Sequence, residues 1–199
     1  MDHLLISSKD ELLKIKLLEF YKIPENLSIL LPIILQQTRL SLRSLDWFVT
    51  NFCKKKNINY INIKNNEEIS FFPFKSYKSQ LKAYSKKFCD PFCRRERVIF
   101  DYKNYTIINF KNDIQLGHKN YIITTIGQLN FFKFAIQENI IKYAMENITD
   151  IENDMNNTLK NRESEKKFLE VKSIKRKELS IPGNKSIHIT RISAIIKFI

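Results

Sequence analysis

The apolar residues of this 199-residue chain change period twice, and that switch limits the fold more than any motif does. From Asp10 to Lys56 they recur mostly at helical spacing. Between Ile58 and Thr124 they fall into short β-branched and aromatic runs, and from Ile126 to Tyr143 the helical spacing returns. The order reads as α+β: a mainly antiparallel sheet with packed helices, a long C-terminal helix and a terminal β-hairpin.

The first helical stretch divides at prolines. Leu12, Leu13, Ile15, Leu17, Leu18 and Phe20 belong to a short helix that Pro24 closes, with Ser7 or Ser8 as N-cap. Leu27 to Gln37 leans to helix despite Pro32. Ser41 to Lys56 is a clearer helix, since Leu42, Leu45, Phe48, Val49, Phe52 and Cys53 share one face. Trp47 points away from that face, and an intramolecular partner on the second side explains it better than an exposed binding aromatic.

In the middle, Tyr60–Ile63, Ile69–Phe72, Val98–Tyr102, Tyr105–Phe110 and Tyr121–Thr124 read as strands, with Lys103-Asn104 joining two of them in a hairpin. A helix lying between the two β-rich stretches is expected to pack across their sheet. Residues 126–146 read as one helix, apolar on two sides, which places it either between layers of the fold or at a subunit contact, the second alternative being a homo-oligomer. These elements make a main domain, 1–146. From 147 onward a polar helix or linker leads to two β-prone runs, 168–181 and 186–198, joined at Pro182-Gly183-Asn184. Residues 147–199 are expected to dock on the main domain or on a partner.

Charge is uneven. The chain carries 34 Lys plus Arg against 21 Asp plus Glu, a net +13, while abundant Lys, Asn and Ile beside three glycines is the skew of an AT-rich coding source. Codon bias alone would scatter the excess. Instead residues 1–74 contribute +2, residues 75–124 contribute +7 and residues 125–199 contribute +4. On a helix advancing about 100° per residue, Lys75, Lys78, Lys82 and Lys86 fall within a sector of roughly 80°, opposite Tyr77, Leu81, Tyr84 and Phe88. Pro91 ends this helix, Lys86 and Lys87 occupy its last turn, and Arg94, Arg95 and Arg97 follow. Cations crowded on one face repel one another, so the ridge is explained either as an ordinary solvated face or as a seat for an anion such as phosphate.

Enzymatic motifs are sparse. The chain has no phosphate loop, HExxH, nucleophile elbow or dinucleotide glycine motif, and it implies no cofactor. Asp90, Asp101 and Lys103 form a D…DxK pattern in which two carboxylates hold Mg²⁺ against a phosphate and the Lys assists, a nuclease alternative to a structural role for those carboxylates. Cys53, Cys89, Cys93 and His118 are a zinc alternative weakened by the lack of a second close pair. The N-terminal stretch lacks a basic start and a long apolar segment, and no apolar run approaches the roughly 20 residues of a membrane span. With an odd number of cysteines, three, the expectation is a non-secreted protein in a reducing compartment.

Three segments carry a family likeness: Ser41-Leu42-Arg43-Ser44-Leu45-Asp46-Trp47-Phe48-Val49-Thr50-Asn51; Tyr77 to Lys87 with Asp90-Pro91-Phe92-Cys93-Arg94-Arg95; and Thr124-Thr125-Ile126-Gly127-Gln128-Leu129-Asn130-Phe131-Phe132-Lys133-Phe134-Ala135-Ile136. Together, over roughly residues 40–145, they resemble an uncharacterised protein family of the nucleocytoplasmic large DNA viruses, the giant viruses. The resemblance assigns no residue a role. It implies a virion, host-cytoplasm or virus-factory setting in which DNA is a more abundant partner than RNA. The sequence therefore favours a non-enzymatic basic protein that binds nucleic-acid phosphates through Lys75, Lys78, Lys82, Lys86, Lys87, Arg94, Arg95 and Arg97. The alternative is a virion assembly protein using the same face for contacts with other virion proteins.

Overall fold

The computed structural model describes residues 9–64, 66–93, 96–110, 117 and 119–172. The first run of the expected terminal hairpin, from Phe168, is helical through Lys172, where α-helical hydrogen bonding continues from the preceding polar stretch; the rest of that hairpin lies outside the described residues, as do Arg94, Arg95 and His118. The chain divides into two compact units, Met1–Asn157 and Thr158–Ile199. All the geometry below belongs to the first; of the second, the structure describes only the end of the last helix.

Three helical segments open the chain. Helix α1, Lys9–Tyr21, buries Leu13, Leu17 and Tyr21 at intervals of four, which places them in line on one face. Pro24 does not merely end that helix: it occupies the first turn of α2, Pro24–Ile34, where its missing N–H costs no hydrogen bond, and α2 continues through Pro32. Ser41 then caps a long helical run by accepting from the Ser44 N–H at 3.0 Å. The run consists of α3, Leu42–Trp47, a π-helical turn, Phe48–Phe52, and α4, Cys53–Lys56, before Asn57 ends it in the left-handed conformation. Leu45, Phe48, Val49, Phe52 and Cys53 are all buried, as their shared face predicts.

The strands form two small antiparallel sheets instead of one. Strands β1, Tyr60–Lys64, and β2, Glu67–Phe71, are a hairpin in which Tyr60 pairs with Phe71. The second sheet has the order β4-β3-β5, with β3, Arg97–Asp101, between β4, Thr106–Asn109, and β5, Tyr121–Thr125. The hairpin expected around Lys103-Asn104 is thus present. Its turn is organised by buried Asp101, whose Oδ1 accepts from the backbone N–H groups of Lys103 and Asn104 at 2.9 and 3.1 Å.

The helix at the centre of the unit is α6, Ile126–Gln137, capped by Thr125, which accepts from the Gln128 N–H. Leu129, Phe131, Phe132, Phe134 and Ala135 are buried, and α6 packs against α1, α2 and α5, so its two apolar sides are both used within this chain. Burial of each large side chain contributes about 1.5–3 kcal/mol. Tyr21 fixes α1 to it by donating to the Leu129 carbonyl at 2.7 Å.

The expected single helix over 126–146 is two. Asn139 adopts the left-handed conformation between α6 and α7, Ile140–Glu146. The Glu138 carbonyl there accepts from Tyr60 Oη at 2.7 Å and Asn62 Nδ2 at 3.1 Å, while Asn139 Nδ2 donates to Asn62 Oδ1. The β1 hairpin thus supplies the hydrogen bonds that a continuous helix would have made locally. Helix α8, Ile148–Lys172, begins in the same unit. Ile151 is fully buried, Glu152 pairs with Arg39 at 2.8 Å, and Asp154 accepts from Trp47 Nε1 at 3.1 Å. Trp47 therefore has the intramolecular partner its position called for.

The basic helix α5, Pro73–Cys89, does not lie across a sheet: it packs on α6 and on the π-helical turn. Tyr77 is buried between Phe131 and Phe134, at ring-centroid distances of 5.4 and 6.1 Å. The helix is interrupted at Ser85, whose φ of 65° and ψ of 168° belong to a region that side chains other than glycine's rarely occupy. The turn beyond it is clamped to α6. A Cβ on Gly127 would meet the Lys87 carbonyl oxygen at 2.8 Å and that of Asp90 at 3.0 Å. Asn130 donates to the Phe88 carbonyl at 2.8 Å, and Tyr77 Oη to the Cys89 carbonyl at 3.2 Å. These contacts hold a strained residue in place.

Two substitutions test the clamp. Gly127→Ala is expected to destabilise the protein by about 1–3 kcal/mol, because backbone has to move. Ser85→Gly should stabilise it by about 1 kcal/mol by removing the left-handed penalty. Urea unfolding measures both, and equal stability of Gly127→Ala and the parent chain would contradict the close approach.

Candidate nucleic-acid interface

The ridge anticipated on α5 is present in its first three turns. Lys75, Lys78 and Lys82 are exposed, and among the described residues no carboxylate lies within ion-pair distance of any of them. Aromatic residues at the start of the helix hold two of these lysines. The Lys75 ammonium sits 4.5 Å from the Phe72 ring centroid, and that of Lys78 sits 4.9 Å from Phe74. Lys54, from α4, approaches the same Phe74 ring at 5.8 Å, so two cations from different helices share one aromatic side chain. Lys54 is the functional candidate that sequence reasoning missed. The run Lys54-Lys55-Lys56 was visible, but its nearness to α5 is a product of tertiary packing.

The kink at Ser85 separates the remaining cations from the ridge. Lys86 is exposed but does not continue the helical register of Lys75, Lys78 and Lys82. Lys87 is half-exposed and already engaged: Glu96 Oε1 lies at 2.8 Å and Asp10 Oδ2 at 3.8 Å, and the Glu96 hydrogen bond holds its ammonium above the usual lysine range. Arg97 projects from β3 and is exposed without a carboxylate partner among the described residues. Lys55 and Lys64 are committed elsewhere, to Asp154 and Glu138.

Of the residues in the two metal-based alternatives, the carboxylates Asp90 and Asp101 organise turns. Asp90 Oδ1 accepts from the Phe92 N–H at 2.9 Å, and Asp101 gives its second oxygen to Asn104 Nδ2 at 2.8 Å beyond the two turn bonds already described. Lys103 is exposed in that turn. Cys53 and Cys89 are buried, and burial pushes each thiol up to about 12, which disfavours the thiolate a metal needs; Cys93 is partly exposed. Among the described residues no three His, Cys, Asp or Glu side chains come together to hold a metal ion. No described helix is long and apolar enough to cross a membrane.

One carboxylate nearby is perturbed. Burial, reinforced by the like charge of Asp90, raises Asp46 from 3.8 to about 6. A carboxyl whose folded value is raised contributes stability that is fully present below its unfolded value near 3.8 and is lost as pH rises through about 6. Asp46→Asn is therefore expected to stabilise the protein at pH 7.5 by an amount on the order of 1 kcal/mol after solvent screening, raising the melting temperature there, and to leave it nearly unchanged below pH about 4. Thermal melts across that range measure the gap; a gap independent of pH would contradict the raised value.

The structure defines a helix-rich α+β protein with exposed lysines along the first turns of α5. The chain belongs to a family of unknown function, DUF7197, whose model matches residues 3–192. It is 42% identical over 138 residues to an uncharacterized protein of Acanthamoeba polyphaga mimivirus, a match covering 69% of this chain and 49% of that protein. The chain thus spans about half the length of the curated relative it matches. The giant-virus likeness carried by the three segments holds. No solved structure matches the chain.

Proposed function

We propose that this protein binds nucleic acid through its phosphates, without reading sequence, using a cationic surface built on α5 and extended by α4. The observation that carries the proposal is the cluster of Lys75, Lys78, Lys82 and Lys54, exposed and free of carboxylate neighbours among the described residues. Among the described residues, four cations elsewhere in the unit do have carboxylate neighbours: Arg39 with Glu152, Lys55 with Asp154, Lys64 with Glu138, and Lys87 with Glu96 and Asp10. Neighbouring lysines on one helix face with no carboxylate within ion-pair distance among the described residues repel one another, and phosphates would relieve that repulsion with release of counterions. The similarity to a giant-virus protein favours DNA as the partner, in the virion or the virus factory.

Lys86 and Arg97 complete a set of six described cations with Lys54, Lys75, Lys78 and Lys82. If about six phosphates are engaged, affinity for duplex DNA should fall roughly 10³-fold between 50 and 200 mM salt. Charge reversal at Lys78 and Lys82 should abolish most binding and flatten that slope, whereas Lys55→Glu, at a lysine already paired with Asp154, should change it little. Electrophoretic titrations at several salt concentrations, with and without Mg²⁺, measure this. Binding that is flat with salt and indifferent to Lys78 and Lys82 would favour the assembly role instead, and Mg²⁺-dependent cleavage lost in Asp101→Asn would favour a nuclease.

A further inference from the structure

Beside the clamped turn of α5 lies a cleft of about 410 Å³ whose walls differ in chemistry. One wall is the Pro91-Phe92 turn. Pro91 is buried, and Asp90 fixes the turn by accepting from the Phe92 N–H at 2.9 Å and, through its carbonyl, from the Cys93 N–H at 3.1 Å. Phe92 is nevertheless 44% exposed, a large aromatic ring presented by a rigid turn and not buried in the core. Across the cleft are Ile123, itself 50% exposed, and Arg97, which has no carboxylate partner among the described residues. At its base Thr124 donates to Gln128 Oε1 at 2.6 Å, so the amide oxygen is engaged while Nε2 has no hydrogen-bond acceptor among the described residues.

A half-exposed aromatic ring, with a guanidinium and an amide donor that have no partner among the described residues, matches around one cleft the three parts of a nucleotide: a base to stack, a phosphate to neutralise and a base edge to hydrogen-bond. We infer that the cleft seats a single unpaired nucleotide, with its base against Phe92 and its phosphate at Arg97, so that the protein prefers single-stranded to duplex nucleic acid. The inference rests on the nucleic-acid reading above and adds the class of strand to it. The cleft adjoins the turn that ends α5: Gly127, which the Lys87 and Asp90 carbonyls approach closely, directly precedes Gln128 of the cleft. A base paired within a duplex cannot enter, because its faces are covered by its neighbours in the stack.

The test compares a fluorescent oligothymidylate of about 12 nucleotides with a duplex of equal length, at one salt concentration, using the full chain. Phe92→Ala is expected to weaken the single strand about ten- to a hundred-fold while leaving the duplex unchanged, and Phe92→Trp should preserve single-strand binding by restoring a stacking face. Arg97→Gln should lower the salt slope by about one. If Phe92→Ala affects both probes equally or neither, while Lys78→Glu with Lys82→Glu still abolishes binding, the cleft is not a nucleotide seat and the ridge reading stands. If neither probe shows salt-sensitive binding to the parent chain, both fall. Because Phe92 is exposed, the variant's melting temperature should match the parent's, which separates loss of binding from loss of fold.

Discussion

Backbone meets backbone where α6 begins, and much of the unit depends on that contact. Gly127 stands so close to the last turn of α5 that the smallest side chain would collide with two of its carbonyl oxygens. The proximity lets Asn130 and Tyr77 reach the carbonyls of Phe88 and Cys89, which a helix terminus would otherwise leave unsatisfied. Pinned at its end by α6 and along its length by Tyr77 between Phe131 and Phe134, α5 has little freedom to rotate. Its lysines point outward because its aromatic residues are held inward. The Pro91-Phe92 turn and the start of β3 follow directly from that end, so the cleft's position is a consequence of the same contact.

The elements legible in the sequence were those set by local periodicity. The helices near 9–21, 42–56 and 73–89 and the hairpin at Lys103-Asn104 follow from residues within one or two turns of each other. Features decided by distant partners were not legible. Nothing near Asn139 announces a break, since it is held by distant groups: Tyr60 and Asn62 donate to the Glu138 carbonyl and Asn62 accepts from Asn139, more than 70 positions away. Ser85 is likewise unremarkable as a residue type, and its strained conformation exists because α6 holds the turn that follows. The division of the strands into two sheets is a matter of which strands pair, which alternation along a strand does not encode. For the candidate site, the three lysines of the first turns were predicted from a helical wheel. The wheel failed at Lys86, where the helix ceases to be one, and it had no means to include Lys54 from another element.

Allocation of charge is as informative as its amount. Glu96 and Asp10 attend Lys87, Glu138 attends Lys64, and Asp154 answers both Trp47 and Lys55. For Asp154, burial alone would raise the carboxyl, but hydrogen bonds from Lys55 and Trp47 outweigh it and hold it below the usual range. Exposed pairs of this kind contribute little to stability, typically about 0–1 kcal/mol each. Their value here is diagnostic. They show acids and bases from different elements brought together, as in Lys64 with Glu138 and Lys55 with Asp154.

The interruption at Ser85 also sets a length scale. Between Lys75 and Lys82 the helix rises only about 10 Å, at about 1.5 Å per residue. Along a B-form duplex that distance corresponds to roughly three base pairs. On the proposed reading, one copy grips a very short stretch of polymer. It is built to coat nucleic acid densely by mass action, at many equivalent places, rather than to hold one address for long.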